Sequence, residues 1–224
     1  MNKTSKKFKD PGSAITHLIA MIGAVICAFP LIGKAVHTNN SVVVFAMSVF
    51  ISSMILLYGA STLYHSFDIS KKVNLFFRRI DHSMIFVLIA GSYTPVCLIV
   101  LGGKLGYTLL ALVWGIAAVG MLVKACWITC PKWFSSIIYI AMGWVCVLAF
   151  TQILNSLPAA AFNWLLAGGI IYTVGGIIYA LKLPIFNAHH KYFGSHEIFH
   201  LFVMAGSICH FIMMFEYVAV LPLA

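Results

Sequence analysis

Seven uninterrupted apolar stretches, each long enough to cross a bilayer, constrain this chain more than any other feature. They run at roughly 14–33, 43–66, 80–100, 105–124, 135–154, 161–181 and 196–219. A membrane-spanning helix needs about 20 consecutive apolar residues. In hydrocarbon, every backbone amide must be satisfied inside a helix or around a closed barrel. Barrel strands read as alternating segments of about ten residues, and these stretches do not alternate. The expected fold is all-α, a seven-transmembrane helix bundle. Composition agrees: 62% of the 224 residues are hydrophobic and 8% are charged, whereas soluble domains carry about 25% charged residues. The expected organisation is a basic tail over 1–13 and a single transmembrane domain over 14–220. The start does not read as a cleavable signal peptide, because its apolar stretch is of spanning length and lacks a small-residue cleavage site.

Lysine and arginine set the expected orientation. Lys3, Lys6, Lys7 and Lys9 precede the first stretch. Lys71, Lys72, Arg78 and Arg79 fall in the second loop, Lys124 and Lys132 in the fourth, and Lys182 and Lys191 in the sixth. Only Lys34 and Lys104 fall on the other side, so twelve of the fourteen share one face. The positive-inside rule then places the N-terminus in the cytoplasm and the C-terminus outside. The net charge of +9 is mostly this topology signal, and it suits an anionic inner leaflet. Charge dispersed among short loops, with no reading domain, argues against nucleic acid as a partner.

Ionisable residues inside a membrane are costly and mark function. His196 and His200 open the seventh stretch four residues apart, on one helical face, a spacing that can hold a metal. Ser61 and His65 lie one turn apart near the end of the second stretch. Asp81 is expected in the first turn of the third. The assigned topology brings Ser61, His65, Asp81, His196 and His200 to one depth in the cytoplasmic leaflet. Three imidazoles and an open position are the ligand set of a catalytic zinc site, and zinc is the commonest ion for such ligands. Asp81 is either a further ligand or the group that holds the attacking water and takes its proton. Ser61 either bonds His65 or positions that water. The bland alternatives are histidines as contacts between helices and Asp81 as an ion-pair partner of Arg78 or Arg79.

The soluble metalloprotease pattern fits poorly. Its extended form needs a glycine and a histidine where this chain has Val203 and Gly206. His210 lies about 15 Å further along the helix and cannot share the metal. Glu197 points about 100° from His196 and is expected to be a polar neighbour rather than the main base. A retinal protein is excluded by the lack of lysine in the seventh stretch.

The sequence resembles the hemolysin III family of the progestin and adipoQ receptor superfamily, which is related to the alkaline ceramidases. The resemblance rests on Ser61-Thr62-Leu63-Tyr64-His65, on Asp81-His82 with Ala90-Gly91-Ser92-Tyr93-Thr94-Pro95, on Ala141-Met142-Gly143-Trp144, and on Gly206-Ser207-Ile208-Cys209-His210-Phe211. It implies zinc (Zn2+) held by His65, His196 and His200, with Asp81 near the zinc water and Ser61 beside it. It further implies a multi-pass protein of a bacterial plasma membrane whose partners are membrane lipids. Its activity would be hydrolysis of lipid amides or esters, with a role in membrane homeostasis. The alternatives are a sensor or receptor with structural zinc, or a cytolytic protein.

The other features read as structural. Pro95 is expected to kink the third span. Gly168-Gly169 and Gly175-Gly176 offer a small-residue packing face. The six cysteines read as buried free thiols. Trp127, Trp133, Tyr107 and Trp164 fall where interfacial anchors do. His189-His190 lies in the last loop on the basic side, and His17 and His210 read as helix contacts.

Overall fold

A computed structural model describes residues 9–181 and 194–222. It shows seven helices long and apolar enough to cross a membrane: α1 (Pro11–Val36), α2 (Ser41–Ser66), α3 (Lys71–Leu101), α4 (Gly103–Cys126), α5 (Lys132–Ser156), α6 (Ala159–Leu181) and α7 (Ser195–Val220). Each span packs on the next in the chain, and α7 returns to pack on α1. His189-His190 lies outside the described residues.

Local chemistry sets the helix ends. Pro11 opens α1, where its missing amide hydrogen costs nothing. Asn40 caps α2, its side chain accepting from the Val42 amide at 2.9 Å, and Ser70 caps α3 through the Val73 amide at 3.3 Å. That cap moves the start of α3 back from the expected 80 to Lys71. Lys71, Lys72, Arg78 and Arg79 are therefore helical, and Asp81 lies in the third turn rather than the first. Gly102 and Gly103 make the turn into α4 with φ of 55° and 47°, a region that glycine enters without strain.

Two spans are irregular. After Pro95, α3 continues as a π-helix over Val96–Leu101, because proline lacks the amide for the regular ladder. In α5 the α-helix stops at Gly143, a 3-10 segment fills Trp144–Ala149, and α-helix resumes at Phe150. The Tyr93 hydroxyl enters this break. It donates to the Gly143 carbonyl at 2.6 Å and accepts from the Cys146 amide at 2.8 Å. A side chain inserted into the ladder is a sufficient cause for such a break. Tyr93→Phe is expected to leave both groups unpaired and to cost about 1–3 kcal/mol, read as a lower melting temperature in detergent.

Burial is uneven. In their most apolar windows, α3, α2 and α7 are 67%, 50% and 44% buried, and every other span is 28% or less. Phe50, Tyr58, Phe86 and Met213 fill the centre. Ile19, Ile26, Phe29, Leu122 and Leu148 project outward, as surfaces facing lipid do. Trp127, Trp133 and Tyr107 are exposed near span ends. Lys124, buried in α4, donates to Ser135 of α5 and to Cys130 Sγ, which ties the two spans. All six cysteines are free, but only Cys97, Cys130 and Cys209 are buried; Cys27 and Cys146 are half-buried and Cys126 is exposed.

Glycine sets the α6–α7 contact. A Cβ on Gly168 would meet the His210 ring at 2.3 Å, and one on Gly175 would meet Phe202 at 2.6 Å. Gly176 faces Ile140 of α5, while Gly169 has open space.

Candidate metal centre

The three most buried spans carry the polar residues singled out from sequence. His65 lies in the last turn of α2, and His196 and His200 lie in the first turns of α7. One ligand atom from each of His65, His196 and His200 lies within 4.8 Å of the other two. This cluster could bind a metal ion. His65 Nε2 and His196 Nε2 are 3.2 Å apart. A tetrahedral ion with bonds of about 2.0–2.1 Å to nitrogen spaces its ligand atoms about 3.3 Å apart, so the pair already has the separation such an ion needs.

Hydrogen bonds assign the tautomers. His65 Nδ1 lies 3.0 Å from Asp10 Oδ2. A carboxylate accepts, so Nδ1 carries a proton, and in the neutral ring Nε2 is the lone-pair nitrogen. The Thr16 hydroxyl donates toward the Gly12 and Ser13 carbonyls, both at 3.0 Å. Its oxygen is then the acceptor for His200 Nδ1 at 3.3 Å, which frees His200 Nε2 as well. His196 Nδ1 has no partner among the described residues. The hydrogen bond from His65 holds the Asp10 carboxyl below its ordinary range.

Asp81 and Ser61 stand beside the trio and outside it. The buried Asp81 carboxylate pairs with His82 Nδ1 at 3.3 Å, rather than with Arg78 or Arg79. Ser61 is buried, and its Oγ bonds nothing among the described residues, His65 included. Ser61, Asp81, His196 and His200 line one cavity of about 130 Å³. Its walls are mostly apolar, with Leu57, Ile85, Leu88, Ile89 and Val203 among them, and it reaches His210. An orphaned hydroxyl and a buried carboxylate thus face the same space as two of the imidazoles.

Glu197 turns away from this space. Its Oε1 accepts from Ser13 Oγ at 2.5 Å and its Oε2 from the Gly194 amide at 2.8 Å, so it fastens the start of α7 to α1.

Three residues at the site were not assigned to it from sequence. Asp10 bonds His65 and Thr16 bonds His200, and His17 stacks on His200 with ring centroids 3.6 Å apart and planes 8° apart. All three come from the beginning of α1 or the residue before it. A signal was present: an acid and a histidine bracketing the start of the first span lie at the same end of the bundle as His65.

Together, the fold and the cluster define a multi-pass helical membrane protein with a three-histidine centre buried near one end of the bundle. The chain belongs to the haemolysin-III related family, whose family model matches residues 5–211. It is 40% identical to Hemolysin-3 of Bacillus cereus over 94% of this chain and 92% of that protein. It is 37% identical to the Hemolysin-3 homolog of Bacillus subtilis (strain 168) over 96% of both. A shorter match, 33% identical over 79 residues, reaches an ADIPOR-like receptor of Saccharomyces cerevisiae, covering 34% of this chain and 24% of that receptor.

Proposed function

We propose that His65, His196 and His200 hold zinc and that the protein is a hydrolase of lipid amides or esters in the plasma membrane. The observation that carries this reading is the shared cavity: two of the imidazoles, the Asp81 carboxylate and the unpaired Ser61 hydroxyl face one apolar space. A bound zinc ion lowers the pKa of a coordinated water and polarises a carbonyl. Asp81 would take a proton from the attacking water and return it to the amine or alcohol that leaves as the C–N or C–O bond breaks. The Ser61 hydroxyl orients that water or the scissile carbonyl. The apolar walls hold an acyl chain and keep bulk water out, which strengthens each electrostatic contact. In this reading the centre faces the cytoplasm, the side that carries twelve of the fourteen basic residues.

The test uses protein reconstituted in vesicles that contain a lipid amide or a lipid ester, with release of fatty acid as the readout. Asp81→Asn is expected to keep its metal and to lose about 10²–10⁴ of the rate, the usual contribution of a positioned acid–base group. Asp81→Asn losing metal as fully as a histidine variant would make Asp81 a ligand instead. No turnover by metal-loaded wild-type protein would remove the hydrolase reading. A second reading, a receptor with structural zinc, is favoured by the receptor name of the yeast relative. It expects metal and no turnover. The Bacillus name raises cytolysis, for which leakage of dye from vesicles is the direct readout.

A further inference from the structure

We infer that Asp10 is a positioning residue of the metal centre, one that fixes the tautomer and ring orientation of His65 so that Nε2 faces the ion. This rests on the reading of the trio as a metal site. Asp10 occupies the N-cap position of α1, where an aspartate ordinarily accepts from the first amides of its own helix. Here its side chain makes no cap bond. It reaches across to α2 instead and accepts from His65 Nδ1 at 3.0 Å. The backbone makes the same connection, since the Asp10 amide donates to the His65 carbonyl at 3.0 Å. Asp10 therefore holds one residue at two points.

Its neighbour extends the grip. Lys9 Nζ donates to the Tyr64 carbonyl at 3.4 Å and lies 3.4 Å from the centroid of the Tyr64 ring. These bonds matter because His65 stands in the last turn of α2, where the final carbonyls lack partners within the helix. A ligand on a fraying turn needs outside support. Pro11 supports the approach: it disfavours the helical region for the residue before it, and Asp10, at φ −135° and ψ 83°, lies outside that region.

The three imidazoles are thus held unequally. His65 has a carboxylate, His200 has the neutral hydroxyl of Thr16, and His196 Nδ1 has no partner among the described residues. A carboxylate behind a metal-bound histidine fixes the ring and raises its basicity, and losing such a partner typically weakens metal binding about 10–100-fold.

The experiment is competition between a chelator and the full-length protein in detergent for Zn2+, with Co2+ absorption as a second readout. Asp10→Ala is expected to bind zinc about 10–100-fold more weakly and Thr16→Val to lose less. The Asp10→Ala protein saturated with Co2+ should show shifted visible bands, which a tether for the N-terminal segment would not cause. Asp10→Glu should recover part of the loss. If Asp10→Ala folds poorly, Asp10→Asn, which keeps the size and an acceptor oxygen, should still bind more weakly than wild type. Wild-type affinity and an unchanged Co2+ spectrum in Asp10→Ala and Asp10→Asn would overturn the inference and leave the metal site standing. Failure of wild-type protein to bind either ion would overturn both.

Discussion

Purified in detergent, wild-type protein is expected to carry about one zinc per chain, and His196→Ala is expected to carry none. Elemental mass spectrometry on the two samples makes the comparison. His65→Ala and His200→Ala should behave like His196→Ala, because each removes one of three nitrogen ligands from a cluster only 4.8 Å across. Stability should follow occupancy. A ligand present at 100 times its Kd stabilises the folded state by about 2.7 kcal/mol, so wild-type protein should lose melting temperature on chelation and the variants should not. Absence of metal from every sample, with equal stability, would make the three histidines contacts between α2 and α7.

The second large effect concerns packing. Gly106→Ala is expected to destabilise the bundle by about 3 kcal/mol, the upper part of the range for overpacked cores. A Cβ there would meet the Cys97 carbonyl oxygen at 2.1 Å. That oxygen belongs to the π-helical end of α3 and already accepts from the Gly102 amide at 3.1 Å. It cannot retreat without breaking the turn into α4. Gly115, nine residues on in the same helix, has no atom within 4 Å of its Cβ position. Gly115→Ala should therefore be neutral or raise stability by up to about 1 kcal/mol, the helix-propensity gain of alanine over glycine. The same change at two sites on one helix should move the melting temperature in opposite directions. Equal shifts at both would show that the α3–α4 contact is looser than the structure has it.

Hydropathy was a good guide to the spans because each is a local property of about 20 residues. The histidine cluster was legible for a similar reason: the spacing of His196 and His200 is local, and the alternating charges placed His65 at their end. What sequence missed is set by distant partners. Gly143 is the one local sign of the break in α5, and the hydroxyl that occupies it comes from Tyr93, 50 residues away. Asp10 reaches His65 across 55 residues. The start of α3 was missed for another reason. Lysine and arginine are good helix formers, yet they lower hydropathy. The apolar run therefore marks only part of a helix that begins at the Ser70 cap, and Asp81 lies about two turns further from the start of that helix than the run implies. His17 was visible as a histidine in a span, and only the packing of α1 on α7 shows that it covers His200.

His65 and His196 are 131 residues apart, and that distance orders the birth of the molecule. The ribosome delivers Ser61, His65 and Asp81 long before the last span exists. A chain that stalls or is cut ahead of α7 holds one imidazole of the three. It also lacks Glu197, which fastens α7 to α1. The centre is completed only when the final helix has threaded the membrane and docked on the first. The three imidazoles therefore meet only in the finished bundle.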